Sequence, residues 1–346
     1  MRLARRWRAE AACIRLGVLW PWGNPLAVRG WATGPLRAPG GGGAARPAGR
    51  LRGAGPPCYV PPRVQPERAI ATRFATRRVH DPRSASTRDD SVAVEEPLEI
   101  RVAGDAVAIT MRTPGDDGDL ALGFLYGEGI ISSADDVGAV AHCGRPGTEG
   151  YGNVIEVTAA AGVALAVERV EASRRGTLTT AACGVCGRRS IDDLMATCVT
   201  LPGGPVLPAA AVAAAVAALR DAQGVFARTG GTHAAAAHDA RGARLAARED
   251  VGRHNAVDKV VGALLKERRV GPRAPADRAP ALLVVSGRAS FEMVQKATRA
   301  GIPIVASVSA PTTLAVDLAE SANLTLAGFV RGEALNVYAH PERIAG

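Results

Sequence analysis

Apolar and polar residues alternate in strand fashion at Val92–Val94 and again over Leu98–Val102, with Pro97 expected to break the two. A further alternating run, Ala106 to Met111, follows Gly104-Asp105, a pair suited to a two-residue hairpin turn. The pattern then lengthens. Leu120, Leu122, Phe124 and Leu125 predict a short helix over Asp119–Tyr126, ended by Gly127 and Gly129. Asn153–Thr158 and Val163–Val167 read as two more strands. Together these predict a small α+β domain, with order beginning near Asp89-Asp90 and the domain spanning residues 86–172.

The second half changes character. An Ala-rich helix over Pro208–Gln223 opens it, and its apolar run, Ala209 to Leu219, is far too short for a membrane span. The last third then alternates strictly: strand Ala281–Val285, helix Ser290–Ala300, strand Ile304–Val308, helix Thr312–Ser321, strand Leu324–Val330. Strands alternating with helices across short loops imply parallel pairing and right-handed crossovers, so residues 208–346 are expected to form an α/β domain. Between the two lies a polar, Gly- and Arg-rich stretch, 173–207, expected to be a mobile loop region.

Charge sharpens the division. The chain of 346 residues carries a net charge of +9. Residues 1–80 hold 15 arginines against Glu10 and Glu67, which leaves residues 81–346 at −4. The basic character therefore belongs to the leading segment, and the body shows no basic stripe with interleaved aromatics that would read nucleic acid. The leading segment also holds Trp7, Trp20, Trp22, Trp31 and the Gly40–Gly43 run, with no apolar periodicity. Residues 1–85 are accordingly expected to be a disordered basic extension, and an internal valine such as Val60 or Val64 is the expected start of translation.

The densest chemistry is Cys183-Gly184-Val185-Cys186-Gly187. Two thiols this close can share a metal, cycle through a disulfide or carry a labile sulfur, and the flanking glycines free the backbone to present them. No second Cys-x-x-Cys accompanies them, which argues against a four-cysteine zinc site. A zinc deaminase would need Pro-Cys-x-x-Cys with an upstream His-x-Glu, whereas Ala182 stands in the proline position and no histidine has the glutamate. A redox dithiol, a persulfide carrier and a pair of packed cysteines remain. The neighbouring Arg174, Arg175, Arg188 and Arg189 would favour a thiolate, as a carrier requires. Cys143 and Cys198 are isolated, and six unevenly spaced cysteines make no disulfide framework, which fits a reducing compartment.

Two further groups of residues carry candidate chemistry. The loops Ser286-Gly287-Arg288 and Ser309-Ala310-Pro311 each lead into a helix N-terminus, where amides and an arginine suit a phosphate as well as ordinary capping. His233, behind Gly230-Gly231-Thr232, and His254 with Lys259 in the segment Glu249–Lys259 are either acid/base or phosphate groups, or histidine and lysine side chains satisfied within the fold. Asp250 is expected to cap the helix that Val257, Val260 and Val261 bury.

Taken in order, Val94–Val102, Met111–Gly115, Leu122–Ile130, Ala182–Gly187, Thr229–Ala234, Glu249–Lys259, Val285–Phe291, Val308–Leu318 and Asn336–Arg343 resemble the formate dehydrogenase accessory sulfurtransferases, the FdhD family. The resemblance covers roughly residues 90–346. It implies a larger C-terminal domain of cytidine-deaminase-like α/β/α architecture without the zinc site, beside a smaller N-terminal α+β domain. It also implies a cytoplasmic, homodimeric sulfur carrier, while charge and the short apolar run make neither nucleic acid nor membrane an expected partner. Such a carrier takes sulfur from a cysteine desulfurase as a persulfide on Cys183, with Cys186 as assisting thiol, and passes it to the molybdenum cofactor. That acceptor is the bis-molybdopterin guanine dinucleotide form destined for formate dehydrogenase. The family's cofactor-binding stretch falls on Phe329, Val330, Arg331, Gly332, Glu333 and Ala334, with Arg288 and His233 as added candidates. Ala334 stands where many relatives carry a basic residue, so Arg331 is expected to supply the cation. The alternatives are a non-catalytic chaperone for the molybdenum cofactor and a dithiol oxidoreductase.

Overall fold

The computed structural model describes residues 66–77, 86–144, 151–165 and 199–346, all within one compact unit, Gly55–Gly346. Its N-terminal part holds β1 (Ile70–Arg77) and β2 (Ser86–Ala93), paired as an antiparallel ribbon. A second sheet of order β4-β3-β6-β5 follows, built from β3 (Glu96–Val102), β4 (Asp105–Arg112), β5 (Val137–His142) and β6 (Val154–Ala159). Leu98, Ile100 and Val102 of β3 point into the core at spacing two, as the sequence alternation requires. Helix α1 (Asp117–Gly127) lies between β4 and β5 in the chain.

Several boundaries differ from expectation for identifiable reasons. Strand β1 lies inside the stretch expected to be disordered, because the polar Thr72 and Arg73 mask a ribbon whose partner supplies its register. Pro97 sits inside β3 rather than breaking it. Pairing with β6 begins only at Glu99, so the missing N–H falls where no neighbour on that side needs it. The hairpin turn is Ala103-Gly104, one residue earlier than expected, with φ of 52° and 88°. Both residues positive is the signature of a primed turn that matches strand twist. The strand expected over Val163–Val167 is absent from its described part, Val163–Leu165.

The remaining elements are β7 (Leu207–Pro208), α2 (Ala209–Ala217), α3 (Gly224–Thr229), β8 (His233–His238), β9 (Arg244–Asp250), α4 (Arg253–Lys266), β10 (Leu282–Val285), α5 (Phe291–Arg299), β11 (Ile304–Ser307), α6 (Thr313–Ser321), β12 (Thr325–Arg331), β13 (Ala334–Ala339) and β14 (Ile344–Ala345). Six of the strands form one sheet of order β13-β12-β11-β10-β8-β9. Strands β10, β11 and β12 run parallel, as the alternating sequence predicts, and antiparallel β8, β9 and β13 extend both sides.

Both faces of this sheet are buried. Leu282, Val284, Ile304 and Ala306 face Val212 and Val216 of α2, while Leu283, Val285 and Val305 face the core of α4, α5 and α6. That second core runs without interruption into Leu98, Ile100, Leu120 and Ile155 of the N-terminal elements, so the two larger sheets share it. The junction is the crossing of α1 on α4, and it is close. A Cβ added at Gly123 would lie 1.8 Å from the Asp258 carbonyl oxygen, and one at Gly262 would lie 1.9 Å from that of Asp119. Only glycine admits backbone approach of this kind. Among the described residues no helix is long and apolar enough to cross a membrane.

Candidate functional site

Because β10, β11 and β12 are parallel, their carboxyl ends lie along one side of the sheet, and antiparallel β8 begins there with His233. Ligands of open α/β sheets bind outside such carboxyl ends. A cavity of about 590 Å³ opens at this place, lined by Ser286, Val308, Val330, Arg331 and Gly332 from the strand ends and by His233 from β8. Arg220, Gln223 and Phe226 close it from the connection around α2 and α3.

The loops that shape the cavity are fastened to one another. The Ser307 hydroxyl donates to the Gly287 carbonyl at 2.6 Å and accepts from the Ser309 amide at 3.0 Å. The Ala289 amide donates to the Ala310 carbonyl, the Thr312 amide to Ala289, and the Phe329 amide to Ser309. The loops after β10, β11 and β12 thus form one rim. Ser286 ties this rim to β8, accepting from the Ala234 amide at 2.9 Å. Gly287 packs closely there, since a Cβ would sit 3.3 Å from Nδ1 of His233. Phe329 adopts a left-handed φ of 53° while 41 % exposed, a strained position for a bulky residue at the turn of a bulged strand.

Burial pushes the His233 imidazole below its usual pKa, and the positive charge of Arg253 nearby adds to this. The ring is therefore neutral near pH 7 and able both to accept and to donate a hydrogen bond. Glu249 braces the opposite wall. Its carboxylate accepts from the Val225 and Phe226 amides and from the Thr232 hydroxyl, each at 2.8 Å.

On the sheet face opposite α2, α4 and α5 are joined by two buried pairs one helical turn apart. His254 Nε2 lies 2.6 Å from Glu292 Oε2, and Lys296 Nζ lies 2.6 Å from Asp258 Oδ1. Burial pushes the Asp258 carboxyl up to about 6 despite the adjacent Lys296. Lys259 points elsewhere, to Asp250 at 2.7 Å and the Thr113 carbonyl at 2.9 Å. His254 and Lys259 are thus satisfied within the fold rather than presented to the cavity. Asp250 does not cap α4. The N-cap is Gly252, and Asp250 ends β9, where it accepts from the Thr113 and Gly252 amides and Asn255 Nδ2.

Of the residues expected from sequence to meet the cofactor, His233, Val330, Arg331 and Gly332 come together at the cavity. Phe329, Glu333, Ala334 and Arg288 are solvent-exposed and outside its lining. Cys183 and Cys186 lie outside the described residues, as do Arg174, Arg175, Arg188 and Arg189. Sequence reasoning missed Arg220, Gln223, Phe226 and the buried Glu292. Arg220 and Gln223 belong to a segment read only as helix, Phe226 lies just past its expected end, and Glu292 gains meaning only from His254 on another helix.

A family model described as the FdhD/NarQ family matches residues 93–345. The sulfur carrier protein FdhD of Anaeromyxobacter sp. (strain K) is 63% identical over 279 residues, covering 81% of this chain and 95% of that protein. A protein of the same name from Mycobacterium tuberculosis (strain ATCC 25618 / H37Rv) is 48% identical over 268 residues, covering 75% of this chain and 93% of its own length. The fold is also that of a crystal structure from Desulfotalea psychrophila, a candidate formate dehydrogenase accessory protein. That match has a TM-score of 0.61 at 26% identity and covers 80% of this chain and 100% of that one. With the model spanning both larger sheets and the cavity between their loops and helices, the chain belongs to the FdhD/NarQ family.

Proposed function

We propose that this protein is a cytoplasmic sulfur carrier in the maturation of formate dehydrogenase. Cys183 receives sulfur as a persulfide from a cysteine desulfurase, and the molybdenum cofactor in its bis-molybdopterin guanine dinucleotide form is the acceptor. In the loading step the Cys183 thiolate attacks the outer sulfur of the donor's persulfide. One S–S bond forms as another breaks, and the donor leaves as a thiolate, so the exchange needs no oxidant. Cys186 assists at the neighbouring position.

The observation that carries the acceptor half of this reading is the cavity of about 590 Å³ at the strand carboxyl ends. Arg331 and Arg220 supply cations there for a diphosphate, and the neutral His233 supplies a hydrogen bond for a base or ribose. Arg331 lines the cavity, so a cation stands there although position 334 carries none. The test is titration of the full chain with guanosine diphosphate. Saturable binding that weakens about tenfold in Arg331→Ala is expected, a loss of about 1.4 kcal/mol. No binding, or binding indifferent to that substitution, overturns the acceptor site. Cys183→Ala should bind the nucleotide normally yet fail to mature formate dehydrogenase; full maturation by that variant would indicate a cofactor chaperone instead.

A further inference from the structure

A second cavity of about 390 Å³ shares no lining residue with the first. It lies where Ile70 and Val94, at the ends of the β1–β2 ribbon, meet the four-stranded sheet. Its floor is built around Arg112, whose side chain is 2% exposed. The Arg112 guanidinium donates to both Asp117 carboxylate oxygens, to Glu96 Oε2, to the Gly152 carbonyl and to Asn153 Oδ1, at 3.1 to 3.3 Å. With its donors committed, Arg112 holds its neighbours in place and is not itself a ligand group. The Asn153 amide is thereby oriented: Oδ1 faces Arg112, so its N–H donors turn away from it.

His142 supplies the second observation. It is 7% exposed, and its Nε2 lies 3.3 Å from Asp117 Oδ2. Burial pushes the Asp117 carboxyl up, but the hydrogen bonds from His142 and Arg112 outweigh it and hold the group below the usual carboxylate range. The carboxylate accepts from Nε2, and in that Nε2–H tautomer Nδ1 is a lone-pair acceptor. That atom is buried and has no hydrogen-bond partner among the described residues. A buried polar atom left in this way costs about 1–3 kcal/mol, which a bound donor would recover.

The wall therefore offers groups of both signs. Exposed Arg68 and the Asn153 amide suit a carboxylate, whereas the Glu96 carboxylate and His142 Nδ1 suit an ammonium. Ile70, Val94 and Pro114 add apolar surface. At about 390 Å³ the space is at the small end of ligand pockets, which start near roughly 300 Å³. We propose that this cavity binds a zwitterionic amino acid, its carboxylate toward Arg68 and Asn153 and its ammonium toward Glu96 and His142. The site is independent of the nucleotide cavity and of the sulfur-carrier reading.

The test is calorimetry and thermal shift of the full chain with glycine, L-serine, L-valine and L-glutamate. Acetate and ethylammonium serve as the separate halves. At least one amino acid should bind one-to-one and raise Tm, with each half about tenfold weaker or more, since neither engages both ends. Arg68→Glu, an exposed position whose change leaves the unliganded Tm in place, should weaken that binding about tenfold, as should His142→Phe. Guanosine diphosphate affinity should be the same in Arg68→Glu as in the parent. The proposal is overturned if no amino acid shifts Tm at about 10 mM, where even a millimolar ligand is visible. It is equally overturned if acetate alone binds as tightly, or if Arg68→Glu binds unchanged.

Discussion

Replacing Gly262 by alanine puts the shared core to a test whose sign is diagnostic. Gly262 lies in α4 where α1 crosses, and the added Cβ would stand 1.9 Å from the Asp119 carbonyl oxygen. Ordinary contact begins near 3.4 Å, so the helices must part by roughly 1.5 Å. Neither side can yield locally, because both contacting groups are helix backbone. Leu120 of α1 and Val261 and Leu265 of α4, each no more than 1% exposed, would lose dispersion contacts as the seam opens. Overpacking of this kind destabilises by about 1–3 kcal/mol, occasionally more, and a backbone clash belongs at the upper end. Helix propensity opposes it, since Gly to Ala in a helix interior gains about 1 kcal/mol. The net expectation is a loss of about 2 kcal/mol, which lowers Tm by roughly 4–8 °C in a chain of this size. Gly123→Ala should behave alike, with its Cβ 1.8 Å from the Asp258 carbonyl oxygen. Gly118→Ala in the same helix α1 is the control. Its Cβ meets only Val140 Cγ1 at 3.6 Å, so its Tm should be equal to or above the parent's. Melting curves of the three variants suffice. A Gly262→Ala protein as stable as the parent would refute the close crossing and the shared core built on it.

Lys259→Met leaves the fully buried Asp250 without its cation and should cost about 3 kcal/mol in urea unfolding. Adding Asp250→Asn should recover most of that loss, and a double variant no better than the single would mean the pair is not coupled. Asp258 has a carboxyl lifted to about 6 by burial, so the folded state takes up its proton more readily than the unfolded chain. Its contribution is fully present below the unfolded value of about 3.9 and lost as pH rises through about 6. The Tm difference between the parent and Asp258→Asn should therefore shift in the parent's favour as pH falls from 7 to 5, and a pH-independent difference contradicts the assignment. His233 titrates the other way. Its lowered pKa means its contribution is present above about 6.5 and lost on acidification, an effect His233→Phe should abolish. Arg288→Ala should leave guanosine diphosphate binding unchanged, because Arg288 lies outside the cavity lining.

What could be read from sequence follows the strength of the local signal. Strands β3, β10, β11 and β12 carry aliphatic residues at spacing two or in continuous runs, and the helices between them are amphipathic, so the parallel core of the large sheet was legible. Strand β8 is His233, four alanines and His238, with no β-branched residue to mark it; Ala235 and Ala237 face the core that holds α4, and Ala234 and Ala236 the core that holds α2. Strand β9 is charged at Arg244, Arg248, Glu249 and Asp250, because three of those side chains satisfy other elements rather than solvent. The cavity was half legible. Val330, Arg331 and Gly332 end one strand and His233 begins another, yet nothing in the sequence places Arg220 or Phe226 across from them. The His254–Glu292 and Lys296–Asp258 pairs join residues 38 apart in the chain, and no local pattern announces such contacts.

The most direct test of the sulfur-carrier account is the intact mass of the chain after incubation with a cysteine desulfurase and cysteine. The account predicts a gain of one sulfur, about 32 Da, that thiol reductant removes and that Cys183→Ala does not show. An unchanged mass with an active desulfurase, or the same gain in Cys183→Ala, would contradict it.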